Sequence, residues 1–123
     1  DLTMIEKLIV LAALTFTVVD GDTIKHNGER IRLWGINAEE RYTPAGKEAT
    51  RALKDITEGN SLVCVARDRD RYGRIVAMCY LDHGQWASVE NDIACLMVRA
   101  ARAKEAPKYS GGYYKRSGCV AYK

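Results

Sequence analysis

Six polar side chains stand within or at the ends of apolar runs in this 123-residue chain. Asp20 and Asp22 flank Gly21. Arg32 lies inside the apolar run of IRLWGINAEE, residues 31–40, and Asn37 and Glu40 close it. Arg74 follows Gly73. If folding brings the 20–22 turn beside 37–40, a carboxylate and an amide oxygen meet there. Hard oxygen ligands of that kind suit Ca²⁺. A neighbouring glutamate is then placed to take a proton from water. Two arginines are suited to hold and neutralise a phosphodiester bidentately. Each signal alone is weak, because Asp-Gly-Asp is more often a plain turn and a strand arginine more often a surface charge.

The elements that must position these groups follow from periodicity and turn chemistry. Thr15–Val19, rich in β-branched residues, reads as a strand. Asp20-Gly21-Asp22 is a turn, and Thr23–Lys25 a second short strand. Asn27-Gly28 is a hairpin signal. Arg30–Ile36 reads as a third strand, with Ile31 and Leu33, and Gly35 in line with them, on one face. Thr43 as N-cap and Pro44 at the first helical position start a helix. Ala49, Ala52, Leu53 and Ile56 keep its spacing, and Gly59 is its stop. Ser61–Ala66 and Ile75–Leu81 read as strands around a charged turn, Asp68–Gly73. Asp92 opens a second helix, with Ile93, Leu96, Met97 and Ala100 on one face. Three strands, a helix, two strands and a helix are the order of a five-stranded OB-type β-barrel with helices, an α+β fold. That fold commonly binds oligonucleotides, but fold alone does not set function.

The formal charge is +3, so bulk charge says little about partners. Its distribution says more. Arg99 to Lys123 holds seven basic residues against one acid, Glu105, and several tyrosines. A basic, tyrosine-bearing tail suits a polyanion. The four cysteines show no CxxC spacing, which argues against zinc. They allow three disulfide pairings or four buried thiols. If Cys64 and Cys79 lie on the arms of one hairpin they can face each other, leaving Cys95 for Cys119. Two such bridges imply an oxidising, secreted or periplasmic, setting. Near the N-terminus Lys7 precedes the apolar run Leu8–Leu14, which faintly resembles a signal peptide. That run is too short to span a bilayer. Glu6 and the lack of a clear small-x-small cleavage site count against a signal. Residues 1–14 read as an N-terminal extension, an added structural element or a retained leader, and 15–123 as one domain.

VVDGDTI (18–24), RIRLWGINAEE (30–40) and DRYGRIVA (70–77), in this order, together resemble the staphylococcal nuclease-like, or thermonuclease, family. DIACLMVRAARAK (92–104) extends the resemblance, which covers roughly residues 16–109. It implies an OB-fold with Ca²⁺-dependent phosphodiesterase activity on DNA and RNA. By position, the resemblance makes Asp22 the metal carboxylate and Ala38 a backbone-carbonyl ligand. It makes Arg32 the first phosphate-binding arginine, Glu40 the general base and Arg74 the second arginine. Arg71 and Tyr72 match a lysine and a tyrosine that contact a terminal phosphate. Tyr109 matches a tyrosine that lines the nucleotide pocket, while the other pocket tyrosine falls on Pro107. The core motif departs from the family's D-x-P-E. Asn37 replaces the second metal carboxylate and Glu39 the proline, so one negative charge is gone. Ala101 stands where a glycine is usual, and Arg102 where an apolar residue is usual. The resemblance therefore carries three readings. One is an active nuclease with weaker Ca²⁺ binding. The others are a module that binds nucleic acid without cutting and a protein-interaction module. Retention of Asp22, Arg32, Glu40 and Arg74 favours the first.

Overall fold

Two strands at opposite edges of one sheet are neighbours in the chain, and this shapes the whole fold. The computed structural model describes residues 8–122. Strand β1 (Leu8–Leu11) pairs antiparallel with β6 (Leu62–Arg69), which pairs antiparallel with β7 (Ile75–Leu81). β7 runs parallel to β4 (Glu29–Leu33), which continues through β3 (Thr23–His26) to β2 (Phe16–Asp20). The edges of this six-stranded sheet, β1 and β2, are separated only by residues 12–15. The sheet must therefore curl until its edges approach, as in a barrel that one bent segment closes. Apolar side chains from its concave face, Leu11, Ile24, Ile31, Leu33, Leu62 and Ala77, share one core with Leu53 and Met97.

The α+β barrel class is as expected, but the strand count differs. The main sheet has six strands rather than five, because Leu8–Leu11 joins it. That segment lies within the stretch that reads from sequence as an extension or leader; residues 1–7 of the stretch, with Glu6 and Lys7, lie outside the described residues. The expected third strand, 30–36, also divides. Gly35 takes φ +81°, a conformation that costs glycine little. The chain leaves the barrel there, and β5 (Ile36–Asn37) pairs instead with β8 (Lys104–Glu105) in a separate two-stranded ribbon. Gly35 thus turns away from the face shared by Ile31 and Leu33.

Helix α1 (Pro44–Thr57) starts as expected, with the Thr43 hydroxyl accepting from the Gly46 N–H at 2.9 Å. Its buried residues Gly46, Ala49, Leu53 and Thr57 follow helical spacing. A Cβ at position 46 would overlap the Glu40 carbonyl, so the helix and the 37–40 loop can meet only over a glycine. Helix α2 (Ile93–Arg99) is capped by Asp92, whose carboxylate accepts from the Ala94 N–H at 3.0 Å. After α2, Ala101 adopts φ +57°, in the left-handed region. A Cβ is strained there by roughly 1–2 kcal/mol. Ala101→Gly should raise stability by about 1 kcal/mol, after the entropy a glycine adds to the unfolded chain. A lowered thermal midpoint for that variant would contradict this account of the turn.

The tail folds back onto the barrel through α3 (Pro107–Ser110) and α4 (Tyr113–Arg116). Glu105 organises it, accepting from the Ser110 hydroxyl at 2.6 Å and from the N–H groups of Tyr114 and Lys115 at 2.8 and 3.0 Å. Burial works against the charge of this carboxylate, but those hydrogen bonds outweigh it and hold the carboxyl below its ordinary range. Tyr114, fully buried, donates to Asp92 at 2.9 Å. Burial pushes the Asp92 carboxyl up to about 6, against the pull of its hydrogen bonds. Disulfides join Cys64 to Cys79 across the β6–β7 pair and Cys95 to Cys119 between α2 and the tail. No described helix is long and apolar enough to cross a membrane.

Candidate functional site

Arg32 is the hub of the polar cluster. It lies on β4 directly opposite Val76 of β7, so its side chain shares a sheet face with Val76 and with Arg74 two residues earlier. Arg32 Nη1 lies 3.4 Å from Asp22 Oδ2 and donates to the Leu33 carbonyl at 3.0 Å. Its Nη2 donates to Asn37 Oδ1 at 2.6 Å. Asp22, nearly buried in the β2–β3 turn, also accepts from the Ala38 N–H at 2.8 Å and the Thr23 hydroxyl at 3.1 Å. The fold therefore brings the 20–22 turn beside the 37–38 segment, the condition on which the reading from sequence depends. Burial pushes the Asp22 carboxyl above its ordinary value, and the Asp20 carboxylate adds in the same direction while Arg32 opposes it.

Arg74 is held by its own turn. Asp70 Oδ2 accepts from Arg74 Nε at 2.7 Å, and Asp70 Oδ1 accepts from the N–H groups of Tyr72 and Arg74. Burial raises the Asp70 carboxyl, but these bonds outweigh it and leave it below its ordinary range. Binding through Nε leaves the terminal nitrogens of Arg74 without a hydrogen-bond partner among the described residues. Arg71 lies over the Tyr72 ring, 4.9 Å from its centroid, and Lys108 over Tyr109 at 5.7 Å.

One cleft of about 910 Å³ gathers Arg32, Asn37, Arg71, Tyr72, Arg74 and Tyr109. Its lining counts six cationic side chains against two acids, Asp68 and Asp70. Such a concave cationic surface attracts polyanions and is sensitive to salt. Asp22 and Ala38 are joined to it through Arg32 and Asn37 rather than lining it. Glu40 does not line it either. It is exposed in the loop before α1, and its carbonyl accepts from the Thr43 N–H and hydroxyl at 3.0 and 2.8 Å. Sequence alone did not single out Trp34, Arg67 and Lys108, which also line the cleft. The arginine-dense run 67–74 at the β6–β7 end was the available signal for Arg67.

The site also bears on Ca²⁺. Among the described residues no three His, Cys, Asp or Glu side chains converge as a metal cluster. Asp22 Oδ2 and Asn37 Oδ1 nevertheless converge on one cationic group, the Arg32 guanidinium, with Ala38 beside them. These are hard oxygens of the type that fits Ca²⁺, with a reduced charge count.

Fold and cleft together define an α+β barrel with a cationic cleft on one face. The chain belongs to the staphylococcal nuclease-like family: residues 30–118 match the family described as staphylococcal nuclease homologue. Over 62 residues it is 45% identical to the protein named probable staphylococcal-like nuclease CAN1 of Oryza sativa subsp. japonica, covering 50% of this chain and 19% of that one. It is 33% identical over 97 residues to an uncharacterized endonuclease of Escherichia coli, covering 76% of this chain and 60% of that one. It is 34% identical over 109 residues to the succinoglycan biosynthesis protein ExoI of Rhizobium meliloti (strain 1021), covering 80% of this chain and 54% of that one. The chain therefore spans less than two thirds of the length of each of these curated relatives.

Proposed function

We propose that the chain is a Ca²⁺-dependent nuclease that hydrolyses phosphodiester bonds in DNA or RNA, working outside the reducing cytosol. One observation carries this reading. Arg32 from β4 and Arg74 from the β6–β7 turn share one sheet face and one cleft, flanked by Tyr72 and Tyr109. Two guanidinium groups so placed match the negative oxygens of a phosphodiester. Family membership and the nuclease names of relatives support the same chemistry. The two disulfides favour an oxidising compartment.

Asp22, Asn37 Oδ1 and the Ala38 carbonyl would hold Ca²⁺, which supplies Lewis acidity toward the phosphate when bound. Glu40 accepts the proton of the attacking water. Arg32 and Arg74 offset the charge that grows on the phosphoryl oxygens. Arg71 and Tyr72 take a terminal phosphate, and Tyr109 stacks on a base. A second reading, binding without cleavage, draws on the position of Glu40 outside the cleft and on the missing carboxylate at Asn37.

A nuclease assay on single-stranded DNA with Ca²⁺ and with chelator separates the two. Cleavage that needs Ca²⁺ is the expected result; binding with no cleavage selects the second reading. Asn37→Asp restores a charge to the donor set and should lower the Ca²⁺ concentration for half-maximal activity. An unchanged titration would remove Asn37 from that set.

A further inference from the structure

A second cavity of about 500 Å³ adjoins the cleft and shares Trp34, Arg67 and Tyr109 with it. Tyr80, Tyr113 and Arg116 are among its other lining residues. The Arg67 guanidinium lies 4.4 Å from the centroid of the Trp34 ring. Arg116 Nη1 donates to the Gly111 carbonyl at 2.6 Å. Among the described residues neither arginine has a carboxylate within ion-pair distance. Aromatic walls and two guanidinium groups, of which Arg116 also feels the Glu105 carboxylate beyond ion-pair distance, make a site for a flat π-system carrying negative charge.

This wall is also built rather than draped. Tyr109, Tyr113 and Arg116 belong to the basic, tyrosine-bearing tail, of which the proposed cleft chemistry uses only Tyr109. Three separate devices fix that tail here: the Cys95–Cys119 disulfide, the three hydrogen bonds to Glu105 and the buried Tyr114–Asp92 bond. Trp34 meets Tyr113 and Tyr114 with ring centroids 5.8 and 5.9 Å apart. A pre-formed aromatic and cationic surface binds without first being ordered.

We propose that this cavity is a second nucleotide subsite, for the base and phosphate next to the nucleotide in the cleft. A single-stranded polynucleotide would then run from the cleft across Tyr109 into it. The chemistry is that of single-strand binding, in which stacking tolerates any base and cations follow the backbone. The inference rests on the nuclease reading only in taking the occupant to be the substrate.

The test compares two substrates: a labelled octanucleotide of thymidine and a mononucleoside 4-nitrophenyl phosphodiester, which reaches only the cleft. Arg116→Gln should raise KM for the octanucleotide roughly tenfold, the scale of one lost stack or phosphate contact, and leave the small substrate unchanged. In chelator, its affinity for the octanucleotide by fluorescence anisotropy should show a salt slope shallower by about 0.7, one phosphate contact. Tyr113→Leu is the second variant, should the first fold poorly. Parental cleavage and binding of the octanucleotide by either folded variant overturns the subsite and leaves the nuclease standing. A parent that binds the octanucleotide but cuts neither substrate overturns the nuclease, and the anisotropy loss alone then decides the subsite. A parent that binds no octanucleotide overturns both.

Discussion

Glu40→Gln should lower phosphodiester turnover by about a hundredfold to ten-thousandfold, the range for loss of a positioned general base. The expected signature is a fall in kcat with KM and stability near the parent's. The Glu40 side chain is exposed and makes no described hydrogen bond, whereas its backbone carbonyl is fixed by Thr43. The substitution therefore removes proton acceptance without disturbing the loop. Arg32→Gln should differ. It too should lose activity, by about a hundredfold to a thousandfold for one charge-stabilising group. It should also loosen the loop, because Arg32 links Asp22 and Asn37. Steady-state kinetics with denaturant titrations distinguish the two patterns. Parental turnover in Glu40→Gln would falsify the assignment of the base.

Removing the Cys95–Cys119 bridge, as Cys95→Ala/Cys119→Ala, should cost about 3 kcal/mol from the 24-residue loop it closes. Removing Cys64–Cys79, with a separation of 15, should cost a similar amount on chain entropy alone. The functional consequences should separate them. Loss of the first frees the tail that carries Tyr109, Tyr113 and Arg116, so octanucleotide binding should weaken with stability. Loss of the second leaves the tail tied to α2. Urea midpoints beside anisotropy titrations give both quantities. Equal effects of the two bridges on octanucleotide binding would contradict a specific role for the anchored tail.

The N-terminal apolar run shows why local reading has limits. Leu8–Leu11 has the composition of a leader, a buried helix or a strand, and nothing nearby in the chain decides among them. The deciding partner is β6, more than fifty residues away, whose free edge it covers. The division of 30–36 has a similar cause. Alternation predicted one strand, but Gly35 can turn where its neighbours would be strained, and β8 pairs with Ile36 and Asn37 beyond the turn. Gly46 was also unreadable as a positioning residue, because the atom it makes room for belongs to Glu40 in another element.

Local chemistry made other features legible. The Thr43-Pro44 helix start and the Asp92 cap rest on interactions within a few residues, and Ile75–Leu81 reads as a strand from its own apolar run after a turn. The residue types of the site, carboxylate, amide, glutamate and two arginines, were also plain in the chain, and their pattern gave the family. Only tertiary structure decided which of them meet. It joined Asp22, Asn37, Ala38 and Arg32 through contacts spanning up to sixteen residues, and put Arg32 and Arg74 on one face through a parallel strand pair. It left Glu40 outside the cleft and brought Trp34, Arg67 and the tail beside it. The physical reason is range. Caps, turns and alternation are set by neighbours along the chain, while a cleft is set by strand pairing and by the bonds that tie a distant tail across it.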